Sequence, residues 1–284
     1  MTAIPMGVIT MLNLLKHELL SRITATIGWS IGLILFGALY ITVFPEVSDQ
    51  MGNLSDLAIY QAMGVDLQSF AGFISSVVLQ FLPLLLGIYA IITSTQTLAG
   101  EEDNGTLEMI VAMPIRRWQI VLVKAFAIAV IVFIILVIAG FGNAQVLKVI
   151  KTTTEIDVTP TQLFAAVLNG WPITMAFSMI GLFLGAYLPH KRPAAAIATV
   201  IFVTSFFGRN LVDLVDSLEN LKPFFLFTYL DTTPTIFKEG VNPADLWTLL
   251  GVAVVFLLLA ILAFQRRNIT VHAWPWQRAQ VSDV

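Results

Sequence analysis

The sequence predicts an all-α polytopic membrane protein: six transmembrane helices, an N-terminal amphipathic interfacial helix, and a short re-entrant or interfacial hairpin before the last helix. Three observations predict it. Of 284 residues, 57% are hydrophobic and only 12% charged, against roughly 25% charged in a soluble domain. The charges gather in short stretches between long uncharged runs. Lysine and arginine are also shared unevenly between alternate connecting segments, as they are in membrane proteins.

Composition excludes several functions. A net charge of −3 gives no basic field for nucleic acid. The chain has no cysteine, so it can form neither disulfides nor thiolate metal sites. No cofactor is expected. Lys16, His17, Glu18 and Arg22 interrupt the first 22 residues, so these do not read as a cleavable signal peptide.

Residues Val8 to Ile23 read as an amphipathic helix. At 100° per residue Met11, Val8, Leu15, Leu19, Leu12 and Ile23 share one arc, with Asn13, His17 and Ser21 opposite and Leu14 and Leu20 breaking the pattern. Such a helix lies along a membrane surface.

The spans follow from the uncharged gaps, since a crossing needs about 20 apolar residues. The gaps hold 23 residues after Arg22, 34 after Asp66, 23 after Lys124, 32 after Asp157, 16 after Arg192 and 20 after Asp245. They predict spans near 24–44, 73–98, 120–141, 163–188, 194–211 and 246–265. The fifth needs Arg192 and Arg209 to snorkel to the interfaces. Pro83 interrupts the second midway. Pro223 to Leu230 is strongly apolar, yet eight helical residues reach only about 12 Å, so within 213–240 it reads as a re-entrant or interfacial hairpin.

Six crossings put both termini on one side. With that side cytoplasmic, ten of the fifteen basic residues fall inside, leaving Lys148, Lys151, Arg209, Lys222 and Lys238 outside. The positive-inside rule therefore predicts a multi-pass protein of the cell's inner (plasma) membrane with cytoplasmic termini. Trp118 and Trp247 open the third and sixth spans at headgroup level, and Trp274 and Trp276 read as an interfacial anchor.

The most informative stretch is Ala99 to Lys124, AGEEDNGTLEMIVAMPIRRWQIVLVK. Asp103 or Asn104 can cap a short helix, Glu108 suits its positive N-terminal end, Leu107, Ile110 and Val111 give it an apolar face, and Pro114 stops it. A short half-apolar helix between two spans suits docking of a cytoplasmic partner.

In this stretch the chain resembles the ABC-2 permease family, whose second cytoplasmic segment carries an acidic pair, Gly-Thr-Leu-Glu, a proline followed three residues later by Arg, and a Lys at the next helix. The matching residues are Glu101, Asp103, Gly105, Thr106, Leu107, Glu108, Pro114, Arg117 and Lys124. In looser form the likeness covers the whole chain, including the exit at Phe264, Arg266, Arg267, Asn268 and Ile269, although the family often has Asp where Asn268 stands. The resemblance implies that residues 1–284 form a single transmembrane permease domain of an exporter. It also implies that these nine residues meet a separate ATPase (nucleotide-binding) subunit, with a second permease protomer completing a homo- or heterodimeric pathway in the lipid.

Rival classes fit less well. No G-x-x-x-x-G-K-[ST] phosphate loop occurs, so ATP hydrolysis is expected in another chain. No ionisable residue lies deep in a predicted span, where a secondary carrier usually keeps one; such a carrier, or an accessory membrane protein, is the alternative. A membrane enzyme would have only Glu101, Glu102 and Asp103, with no histidine partner in view. His17, His190 and His272 read as isolated, solvated side chains. Gly28-x-x-x-Gly32 and Gly181-x-x-x-Gly185 permit close helix approach, either within the chain or between protomers. Thr93, Ser94, Thr95, Gln96 and Thr97 suit either an inner vestibule or a helix end that hydrogen-bonds its neighbours.

Overall fold

The computed structural model describes residues 6–55, 69–152, 155–212 and 214–267. Among these residues the fold is helical without strands, and six helices are long and apolar enough to cross a membrane. Trp274, Trp276, Asn268 and Ile269 lie outside the described residues.

The elements run α1 (Met6–Ser21), α2 (Ile23–Ser55), α3 (Phe70–Asp103), α4 (Leu107–Val111), α5 (Arg117–Ile150), α6 (Pro160–Tyr187), α7 (Lys191–Val212), α8 (Ile236–Glu239) and α9 (Pro243–Gln265). The six crossing elements are α2, α3, α5, α6, α7 and α9, with the part of α2 that crosses running from Ile23 to Glu46.

Several helices overrun the charge-free windows. At 34 residues, α3 and α5 span about 51 Å at 1.5 Å per residue, more than the roughly 30 Å of hydrocarbon. Each therefore carries its charged ends beyond the lipid. Pro83 does not break α3, because a π-helical turn at Ser75–Leu79 precedes it and absorbs the register change. The start of α6 is fixed by a capping box: Thr159 Oγ1 accepts from the Gln162 amide at 3.3 Å, and Gln162 Oε1 accepts from the Thr159 amide at 2.8 Å. Pro160 follows at the first helical position, which needs no N–H.

The central element is α6, with 78% of its membrane window buried against 17–28% for α2, α7 and α9. Small residues let α3 approach it. A Cβ on Gly185 would lie 3.0 Å from the Thr95 carbonyl oxygen, and one on Gly181 would strike Ser94. Gly181-x-x-x-Gly185 is thus an intrachain contact. In the polar run beside it all residues but Gln96 are buried, and Thr95 and Thr97 donate to carbonyls of their own helix. At Gly28 and Gly32, by contrast, an added Cβ would meet nothing within 4 Å among the described residues.

The 213–240 segment forms 3-10 turns at Asp216–Phe224 and Leu226–Tyr229, then α8. Phe227 is buried among Phe177, Phe202 and Phe206, with ring centroids 5.2–5.6 Å away, and its amide donates to Ser205 Oγ of α7 at 3.2 Å. A Cβ on Gly208 would overlap the Phe225 ring, so that glycine admits the segment against α7.

The apolar arc read for α1 is split. Leu14 and Glu18 are buried, and Met11 and Leu15 pack toward the bundle, while Val8, Leu12 and Ile23 are exposed. Leu14, which breaks the simple amphipathic pattern, is the residue that anchors the helix. One face of α1 meets protein, an apolar face made by Val8, Ile9, Leu12 and Leu20 is left open, and Asn13 and His17 lie on a third. A two-sided pattern does not describe a helix with three neighbours.

Candidate functional site

The end of α3 turns into α4 through a corner built by the backbone. Gly105 has φ +71°, its amide donates to the Glu102 carbonyl at 3.0 Å, and the Thr106 amide donates to the Glu101 carbonyl at 2.9 Å. These two bonds close a helix with a left-handed residue just past its cap, the position where glycine escapes the Cβ penalty. Thr106 Oγ1 adds a bond to the Glu101 carbonyl at 3.1 Å.

This geometry corrects the expected cap. Asn104 ends α3, and Thr106 stands before α4 with helical backbone and no side-chain cap bond. Asp103 turns elsewhere, accepting from the Lys191 backbone amide at 3.0 Å and pairing with His190 Nδ1 at 2.9 Å. His190 is therefore neither isolated nor merely solvated.

Glu101, Glu102 and Asp103 diverge because successive helical residues are 100° apart. Glu101 Oε1 accepts from Lys124 Nζ of α5 at 2.7 Å. The same ammonium meets Glu18 Oε1 of α1 at 2.5 Å, and Glu18 Oε2 accepts from Arg22 at 3.2 Å. Arg22 also donates to Thr97 Oγ1 at 2.9 Å. Glu102 forms a buried ion pair with Arg267, just past α9. That guanidinium donates to the Gly185 and Ala186 carbonyls at 3.2 and 3.1 Å, and the Arg267 carbonyl accepts from Arg117 at 2.7 Å. Three consecutive acids thus fasten one corner to α1 and α5, to the end of α9, and to the start of α7.

Electrostatics favours keeping these charges together. Lys124 is fully buried and Arg267 is 1% exposed, so each depends on its partners for compensation. Glu18, Arg22, Glu101 and Lys124 sum to zero formal charge. Burial pushes the Glu18 carboxyl up, but Lys124 and Arg22 outweigh it and hold the group below its ordinary value.

Of the nine residues singled out by the sequence, Glu101, Asp103, Gly105, Thr106, Leu107, Lys124 and Arg117 are built into this corner or its bonds. Leu107 is 1% exposed, in one apolar cluster with Leu14, Ile120 and Phe264. Glu108 and Pro114 are exposed. Met109 is 65% exposed on the same short helix. Glu18, Arg22, Glu102, His190 and Arg267 are the participants that the sequence reading did not assign. Glu18 and Arg22 could have been found as an i,i+4 acid–base pair on the Leu14 face.

The arrangement ties one corner to several elements through its charged side chains. The acids are consumed in ion pairs with three different elements, and among the described residues no group of acids and histidines could hold a metal. A family model described as ABC-2 family transporter protein matches residues 12–269, a range that contains this corner and every span. No curated protein matches the chain.

Proposed function

We propose that this chain, which belongs to the ABC-2 transporter family, works as the membrane-spanning permease subunit of an ATP-driven exporter. Two protomers form the pathway, and a separate ATPase subunit docks on α4. Family membership makes the chain a membrane-embedded component of a transporter.

One observation carries it. α4 stands between two spans, fastened through Glu101, Glu102 and Leu107 to α1, α5 and α9, yet it exposes Glu108 and Met109. A protein-anchored helix with a free outer face can take up a push from a soluble partner and pass it to several spans together. An exposed methionine adapts readily to a partner surface. Both termini are cytoplasmic in this reading, on the side of α4, in agreement with the lysine and arginine distribution. The open Gly28 and Gly32 face of α2 suits the second protomer.

The test is a pair of surface substitutions, Glu108→Lys and Met109→Asp, in permease expressed with the ATPase of its own transcription unit. Loss of ATPase co-purification with an unchanged size-exclusion profile is the expected result. Full retention of the ATPase by both variants would show that α4 is not its docking site.

A further inference from the structure

One side of α1 is committed to the bundle. Leu14 and Glu18 are buried there, and Glu18, the sole acid of this helix, is taken by Lys124 and Arg22. At 100° per residue Val8, Leu12, Lys16, Ile9 and Leu20 fall on another side, within one arc of about 120°. The four apolar residues are 44–56% exposed, and Lys16 in their midst is exposed as well. Asn13 and His17 lie past Leu20 and line a cleft toward α4, so α4 flanks a different side of the helix.

What lies beside the arc follows from the chain. α1 ends at Ser21, and Ile23 begins the part of α2 that crosses the membrane. Sixteen helical residues reach about 24 Å, so all of α1 stays within that distance of the point where the chain enters lipid. An amphipathic helix at such a boundary sinks its apolar arc among acyl chains and keeps its polar groups at the headgroups.

The charge on the arc selects among lipids. Lys16 makes no ion pair with a described residue, and no acid shares its arc. Its methylene stem can cover apolar surface while the ammonium reaches the level of the lipid phosphates. An anionic headgroup offers the net negative charge that a zwitterionic one lacks, which for one cation near the surface amounts to about a fivefold preference.

We propose that the open face of α1 binds the adjoining leaflet, with Val8, Ile9, Leu12 and Leu20 among the acyl chains and the Lys16 ammonium on the phosphate of an anionic lipid. The lipid then holds α1 from the side opposite Glu18, and through Glu18 and Lys124 it steadies the corner that carries Glu101. The proposal does not rest on the ATPase reading, because its test contains no ATPase.

The cysteine-free sequence makes the test direct. Full-length permease carrying Leu12→Cys is labelled with a bimane and reconstituted into phosphatidylcholine vesicles that contain phosphatidylglycerol. Either lipid, at equal mole fraction, carries brominated chains that quench the label. Quenching at residue 12 should show phosphatidylglycerol enriched about fivefold over phosphatidylcholine, and the enrichment should fall as salt is raised. It should vanish with Lys16→Gln, persist with Lys16→Arg, and be absent at Val254→Cys on the exposed face of α9. Excess glycerol 3-phosphate in solution should leave it unchanged. Equal quenching by the two lipids in the parent, or enrichment that survives Lys16→Gln, would overturn the proposal. So would quenching by neither lipid at residue 12 while Val254→Cys is quenched, which would mean that protein or water covers this face. Loss of the enrichment to glycerol 3-phosphate would overturn the assignment to a lipid and give Lys16 to free phosphate.

Discussion

The two ends of the bundle are held by opposite kinds of force. At one end, α3, α5, α1 and the exit of α9 meet through buried ion pairs centred on Lys124 and Arg267. At the other, α6, α7 and the 3-10 segment meet through the rings of Phe177, Phe202, Phe206 and Phe227, with centroids 4.7–5.6 Å apart. Rings held by shape and dispersion tolerate small rotations and lose energy gradually. Paired buried charges do not, because losing one partner leaves the other desolvated and uncompensated. One end is thus tied together by charge, while the other packs the 3-10 segment by the shape of its rings.

That contrast can be broken at its strongest point first. Lys124→Met leaves Glu18 and Glu101 facing each other without their shared cation, a loss on the order of 3–5 kcal/mol for a broken buried pair. Thermal melting of the detergent-solubilised protein should show it as the largest single drop in midpoint. Adding Glu101→Gln to Lys124→Met should recover part of the loss, because Glu18 keeps Arg22. No recovery would mean that the loss does not come from the two carboxylates left without their shared cation.

At the aromatic end Phe227→Ala removes one buried ring from the set, at a cost of about 3 kcal/mol. The same melting assay should place it below Lys124→Met, and Phe227→Leu should cost less than half as much. If the alanine and leucine variants were equally damaging, the segment would be held by edge-specific ring contacts rather than by filled volume.

A smaller effect comes from acid. Because Lys124 and Arg22 hold the Glu18 carboxyl below its ordinary 4.5, the contribution of Glu18 is complete above that value and fades as pH falls through the lower folded value. The parent should therefore lose midpoint below about pH 4.5 more steeply than Glu18→Gln, which starts lower and stays flatter. Parallel curves would remove Glu18 from the charged lattice.

How much of this was legible in the sequence differs between the two ends as well. The spans could be read because a 20-residue uncharged run has few other uses, and the corner could be read because Gly105 follows an acidic run and precedes a short half-apolar stretch that Pro114 ends. The true ends of α3 and α5 were hidden, since counting uncharged residues stops a helix at its first charge. Glu101 continues α3 past the uncharged run because Lys124 of α5 neutralises it across the bundle. Likewise Glu18 and Arg267 looked like ordinary boundary charges, since their burial depends on partners 106 and 165 positions away in the chain. The insertion of Phe227 beside Gly208 was equally invisible, because only the fold brings a loop ring to a helical glycine.

The smallest effect on stability should accompany the largest effect on function, at Gly105. A Cβ there meets nothing within 4 Å, so Gly105→Val adds no clash and costs only the backbone strain of a positive φ, about 1–3 kcal/mol at one corner. Gly251→Val in α9 likewise meets nothing and controls for a branched side chain elsewhere. Gly105→Asn tolerates the left-handed backbone. The decisive measurement is ATPase co-purification together with transport for these three variants at matched expression. Corner-dependent coupling predicts that Gly105→Val loses both while Gly105→Asn and Gly251→Val retain them. Normal ATPase binding and normal transport in Gly105→Val would contradict the claim that motion passes from the ATPase to the spans through this corner.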